Sequence, residues 1–182
     1  TYGAFHSENN IKNYSHGMFQ SVYDYPYLSA SANHVFDITV GYSSDSKLSA
    51  STSNQNDKKI NIYTEFAQVL AGHDATGSVF RFDPSGSHVS TGTKINEAIV
   101  LNFARLLTKD EIKKGSFSLK LGVSGTYGTG THTEMSDLLT ITDKDAATSY
   151  FVNSPAGEYA ILYATGSTTP LNREVGLLYY QA

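Results

Sequence analysis

Between residues 116 and 123 the chain reads SFSLKLGV, and Phe117, Leu119, Leu121 and Val123 alternate with Ser116, Ser118, Lys120 and Gly122. A strict period of two lines one face of a strand with apolar side chains and leaves the other to solvent. Upstream, Ile99, Leu101 and Phe103 alternate less cleanly with Val100, Asn102 and Ala104, a pattern expected of a strand buried on both faces. Between the two, Thr108 and Glu111 have the spacing of a capping box, and Gly115 stands where a short helix needs a positive φ to end. Residues 100–123 therefore predict strand, one or two helical turns, strand. The charges of Lys109, Asp110, Glu111, Lys113 and Lys114 are taken up by capping and solvation.

The same reading extends along the chain. HVFDITVGY (34–42) alternates Phe36, Ile38, Val40 and Tyr42 against Val35, Asp37 and Thr39, and predicts a strand. Residues 43–56, SSDSKLSASTSNQN, are of low complexity and predict a surface loop or linker. One long helix follows in DKKINIYTEFAQVLAG, with Ile62, Phe66 and Leu70 at spacing four and Tyr63, Ala67 and Leu70 in the adjoining row. Asn56 is the expected cap at its start and Gly72 at its end. Short strand signals recur at SVFRF (78–82), DLLTIT (137–142), TSYFV (148–152), EYAILYA (158–164) and EVGLLYY (174–180), punctuated by Gly, Ser, Thr, Asp and Pro. Many short strands with almost no β-α-β alternation predict a mainly β (α+β) fold, an antiparallel sheet or sandwich with one packed helix and a short capped helix. Residues 1–33 lack periodicity and are expected to form an irregular N-terminal arm. Residues 34–182 are expected to form a single β-rich domain that continues beyond the last residue.

Composition narrows the classes of function. A chain of 182 residues is long enough for one domain with a substantial core. Its net charge of −4 and lack of Lys/Arg blocks beyond 58–59 and 113–114 give no reason to expect a nucleic-acid partner. No run approaches the roughly 20 apolar residues of a membrane span, so no membrane partner is expected. Cysteine is absent, which removes thiolate metal sites and cysteine nucleophiles.

Chemistry-bearing motifs fail on spacing. GVSGTYGTGTH (122–132) and GSHVSTGTK (86–94) lack the glycine-lysine spacing that converges on phosphates, and no serine stands in a GxSxG elbow. Of the histidines at 6, 16, 34, 73, 88 and 132, the pairs His73–Asp74 and His132–Glu134 have a carboxylate at hand, and two ligands do not make a metal site. No catalytic residue, metal or cofactor is expected. A serine triad would need a histidine and an acid supplied by the fold.

The tyrosines carry more information. With 13 Tyr and 9 Phe against 16% charged residues, the chain is suited to surfaces that bury against partners. In YDYPYLSASAN (23–33), Pro26 favours an extended Tyr25, which would turn Tyr23, Tyr25 and Tyr27 to one side. Three readings stand open: local core packing around Pro26, an arm docking into a neighbouring subunit, and a carbohydrate platform on which Asp24 accepts from hydroxyls. Phe19, Tyr23, Tyr25 and Tyr27 are the candidate partner-contact residues.

FQSVYDYPYLSASANHVFDITVGYSSDS, KKINIYTEFAQVLAGHDATGSVFRFD, EAIVLNFARLLTKDEIKKGSFSLKLG, SPAGEYAILYATGS and the closing VGLLYYQA together resemble a structural protein of contractile-tailed phages, those of marine cyanobacteria above all. The resemblance covers most of residues 19–182 and brings no active-site residue with it. It implies a virion location, a segment of a longer chain, and contacts with copies of itself and other virion proteins, in tail, baseplate or neck rather than as capsid decoration. The alternative is a glycan-binding or adhesin module displayed on the virion.

Overall fold

The computed structural model describes residues 8–50, 54–103, 111–124, 137–166 and 173–181. The protein is mainly β, with two antiparallel sheets, one α-helix and a 3-10 turn among the described residues. The chain forms two compact units, Thr1–Val69 with Asn96–Asp110, and Leu70–Ile95 with Glu111–Ala182. This differs from the expected division into an arm and a single domain, since each unit gathers two separate stretches of chain around its own sheet.

The first unit contains β1 (Ile11–Asn13), β2 (Gln20–Tyr23), β3 (His34–Tyr42), the 3-10 turn Lys47–Ala50, α1 (Asn54–Leu70) and β4 (Glu97–Asn102), with sheet order β1-β2-β3-β4. Among the described residues of the expected arm, 8–33, β1 and β2 are two of the four strands of this sheet rather than irregular chain. Strands of three and four residues are too short to display a period, so only their pairing, Ser21 to Asp37 and Val22 to Phe36, fixes them as sheet. At the other edge, β4 aligns Gly41 with Ala98 and Val40 with Ile99. The expectation that this strand is buried on both faces is overturned, because Ile99 is 66% exposed on a strand with a sheet neighbour on one side.

Helix α1 packs on β3. A Cβ built on Gly41 would lie 2.9 Å from the Tyr63 amide nitrogen and 3.1 Å from its Cα, so the helix backbone passes over the strand where no side chain intervenes. The buried face centres on Ile62, Tyr63 and Ala67, while Phe66 and Leu70 are half-buried. The stripe is therefore turned towards the second expected row. Asn56 lies inside the helix, where its Nδ2 donates to the Ser49 carbonyl at 2.8 Å, and Gly72 beyond the helix end has φ +85°.

Residues 43–50 of the serine-rich segment are held by their hydroxyl side chains. Ser43 Oγ donates to Asn96 Oδ1 at 3.0 Å, Ser46 Oγ donates to the Glu97 carboxylate and accepts from the Leu48 amide at 3.0 Å, and Ser43 and Ser46 are buried. Short hydroxyl side chains here cap a turn instead of solvating a linker.

The second unit contains β5 (Ser118–Ser124), β6 (Asp137–Thr142), β7 (Phe151–Ser154), β8 (Gly157–Gly166) and β9 (Arg173–Tyr179). Its sheet runs β5-β6-β8-β7, with β9 also paired to β8. The SVFRF segment is no strand and contributes one isolated bridge, Val79 to His73, because Asp74, Thr76 and Ser78 close a local turn there instead. The core gathers Ala146, Ala160, Leu178 and Tyr180, with Ile112, Phe117 and Leu162 against them. At its edge the fully buried Asp143 carboxylate accepts from the amides of Gly115 (2.8 Å) and Phe117 (2.9 Å) and from the Tyr180 hydroxyl (2.7 Å). Gly115 has the expected positive φ, 79°, whereas Thr108 and its capping box lie outside the described residues.

Candidate functional site

The predicted contact residues fall at two ends of β2. Phe19 sits in the β1–β2 connection, half-buried, its ring 5.0 Å from those of both Tyr14 and His16. Tyr23 ends the strand and is half-buried, edge-on to His34 at 5.5 Å and 6.2 Å from Tyr27. The structure does not bring Phe19 together with the tyrosines.

The β2–β3 connection, residues 24–33, is a turn-rich loop and not the extended segment that Pro26 suggested. The Ser29 amide donates to the Pro26 carbonyl at 2.7 Å, and the Asp24 amide closes the base on the Asn33 carbonyl at 3.1 Å. The Asp24 carboxylate accepts from the Asn33 amide (2.6 Å) and from its Nδ2 (2.9 Å). These side-chain and backbone hydrogen bonds from Asn33 hold the Asp24 carboxyl below the usual carboxylate range. Behind the loop, Asn10 Nδ2 donates to the Asp24 carbonyl at 3.1 Å and the Tyr27 amide donates to the Asn9 carbonyl at 3.0 Å. On this hydrogen-bonded frame Tyr25 is 57% exposed, Tyr27 37% and Leu28 87%. Three large side chains are held in water by a backbone fixed from both sides. Leu28, absent from the sequence-based set, is the most exposed of the three, and nothing in a lone leucine two residues after Pro26 distinguishes an apex from a core position.

A second constellation was hidden from the sequence. The β2–β3 register sets Ser21 beside Asp37, so that Ser21 Oγ donates to Asp37 Oδ1 at 2.5 Å while His34 Nε2 lies 2.7 Å from the same oxygen. Tyr14 Oη is 3.2 Å from Ser21 Oγ. The residue types are those of a serine hydrolase, but their order is not. A nucleophilic serine must hand its proton to the imidazole, whereas here the carboxylate stands between the two, and Ser21 is fully buried. The arrangement ties the β1–β2 connection to β3 and activates no nucleophile.

His73 and Asp74 are equally committed. His73 Nδ1 faces the main-chain oxygen of Asp74 at 3.1 Å, while the Asp74 carboxylate accepts from the Thr76 hydroxyl (2.6 Å) and amide (2.8 Å) and the Ser78 amide (3.0 Å). Hydrogen bonds from Thr76 and Ser78 keep that carboxyl low. His132 and Glu134 lie outside the described residues. Among the described residues no three His, Asp or Glu side chains are grouped to hold a metal ion, and no helix is long and apolar enough to cross a membrane. Comparisons with protein-family models, curated proteins and solved structures return no match to this chain.

Proposed function

We propose that the protein is a non-enzymatic structural component of a phage virion, assembling through contacts with copies of itself and other virion proteins. The tail, baseplate or neck is favoured over capsid decoration on the strength of the sequence resemblance. The observation that carries the contact role is the 24–33 loop, which holds Tyr25, Tyr27 and Leu28 out from a frame of backbone and asparagine hydrogen bonds. Anchors on a fixed backbone lose little entropy when they enter a partner's pockets, which is where interface energy concentrates. Nucleic acid and membrane have no part in this reading, nor does a cofactor.

The glycan-binding alternative draws on the same exposed tyrosines. It is the weaker reading, because sugar platforms combine rings with free polar side chains, and both Asp24 carboxylate oxygens are engaged by Asn33.

The test joins location with contact. Peptides of this chain should be recovered from gradient-purified particles at several copies per particle. The triple change Tyr25→Ser, Tyr27→Ser, Leu28→Ser should abolish its incorporation while altering the unfolding free energy of the isolated chain by no more than about 0.5 kcal/mol, as for ordinary surface positions. Absence from particles, or undiminished incorporation of the variant, would refute the proposal. Retention on a glycan array that the same three changes abolish would establish the alternative.

A further inference from the structure

The second unit contains a loop that closes on itself. At the base of residues 83–94, the Ile95 amide donates to the Phe82 carbonyl at 2.8 Å and Lys94 Nζ meets Asp83 Oδ2 at 3.0 Å, both side chains only 5% exposed. Lys94 also donates to the Val89 carbonyl at 2.7 Å, and Asp83 accepts from the Ser85 amide and hydroxyl. Burial works against the Asp83 carboxylate, but the Ser85 and Lys94 hydrogen bonds prevail and hold its carboxyl below the usual range.

The loop lies on a row of rings that crosses β7, β8 and β9. Phe151, Tyr159 and Tyr179 stack at 5.1 Å intervals, with Tyr159 fully buried at the centre. Gly86 rests on this row: a Cβ there would come within 2.8 Å of the Phe151 ring, its φ is +75°, and its carbonyl accepts from the Tyr159 hydroxyl at 2.8 Å. Two residues on, the His88 imidazole stacks over the Tyr159 ring at 4.8 Å. Both His88 ring nitrogens are buried and neither has a hydrogen-bond partner.

We infer that residues 83–94 form an acid-released latch over this aromatic row, with His88 as the group that opens it. In the closed loop a neutral imidazole suits an apolar ring, whereas an imidazolium would present two N–H donors with no acceptor. The charged and titratable groups around it are few. Asp83 and Lys94 belong to its own loop, and Asp83 is already committed to Lys94 and Ser85. From β8 comes Tyr159, which burial pushes up to about 12 and which stays neutral throughout the acid range; from β7 comes Phe151, which carries no charge. Burial, then the Lys94 cation, hold His88 below the ordinary histidine value, with Asp83 opposing in part. The released loop binds the proton more readily than the closed one. Closure is therefore favoured above about pH 6.5 and weakens progressively below it. Opening bares the Tyr159 ring and the edge of Phe151. This inference stands whether or not the chain is a virion protein.

Nuclear magnetic resonance on the whole chain tests it. The His88 imidazole should titrate below about 6.5, and the amides of Ser85, Gly86 and Ile95 should lose hydrogen-exchange protection between about pH 7.5 and 5, after correction for intrinsic rates. Protection along β8 should hold. His88→Phe keeps a ring on Tyr159 and cannot titrate, so its loop protection should stay flat. A His88 titration at or above about 6.5, constant protection in the unaltered chain, or a drop retained in His88→Phe would each overturn the inference. If His88→Phe does not fold, the titration and exchange of the unaltered chain decide between the same outcomes.

Discussion

Gly41 is where a single methyl group decides how the first unit packs. Its replacement by alanine would ordinarily gain a few tenths to about 1 kcal/mol by restricting the unfolded chain. Here the added Cβ meets the Tyr63 amide nitrogen at 2.9 Å, and that neighbour is helix backbone, which cannot rotate away. The clash outweighs the entropic gain, so Gly41→Ala should destabilise the first unit by about 1–3 kcal/mol in urea titrations. A neutral or stabilising result would mean that α1 shifts along β3 without cost. The importance of this glycine could not be read from HVFDITVGY, where it looks like an interruption near the end of a strand. Periodicity reports which side chains share a face, but a close approach of helix to strand depends on partners distant in sequence. Ser21, His34 and Asp37 illustrate the same gap, since only the β2–β3 register brings them together.

At the scale of elements, legibility followed length and regularity. The strands at 34–42, 118–124, 137–142, 157–166 and 173–179 and the helix at 54–70 were visible because each is long enough to display its period or its apolar run. β1, β2 and β7, with three or four residues each, offered no such signal or only a shifted one, and the SVFRF run looked like a strand that local hydroxyl and carboxylate chemistry turned into a bend. The turn before β5 was read correctly as a glycine turn, yet what fastens it is Asp143, twenty-eight residues from Gly115. Each Asp143 oxygen accepts a backbone amide, and one also takes the Tyr180 hydroxyl. Burial first, and the Asp143 carboxylate with it, push the Tyr180 hydroxyl well above the usual tyrosine value. Asp143→Asn is nearly isosteric but must aim an N–H group at a donor, so it should cost about 1–3 kcal/mol. The loss should be read in guanidinium unfolding, with hydrogen exchange rising first at Gly115 and Phe117. A cost below about 0.5 kcal/mol would place this carboxylate among ordinary surface groups.

For the whole molecule, the division into two units changes what a truncation measures. The sequence cast residues 1–33 as an irregular arm with Phe19, Tyr23, Tyr25 and Tyr27 as its contacts, and of these Tyr25 and Tyr27 are exposed, with Leu28 added to them by the structure. Those side chains are carried on a loop whose two stems are β2 and β3, so the segment that presents the contact residues is also half the strands of the first sheet. Removing it would strip β3 of its hydrogen-bonded neighbour along Gln20–Tyr23 and leave Asp37 without Ser21. β3, left paired with β4 alone, would become a bare edge, which is both destabilised and ready to pair with other chains. Deletion of residues 1–33 should therefore abolish amide protection in β3, β4 and α1 and promote aggregation, while β8 and β9, which belong to the other unit, keep theirs. Exchange measured by mass spectrometry on the truncated chain distinguishes the outcomes. Undiminished protection of β3 and β4 would restore the arm reading, and loss across β8 and β9 as well would show that the two units fold as one. The serine replacements at 25, 27 and 28 leave every strand in place, which is why they and not the deletion separate docking from folding.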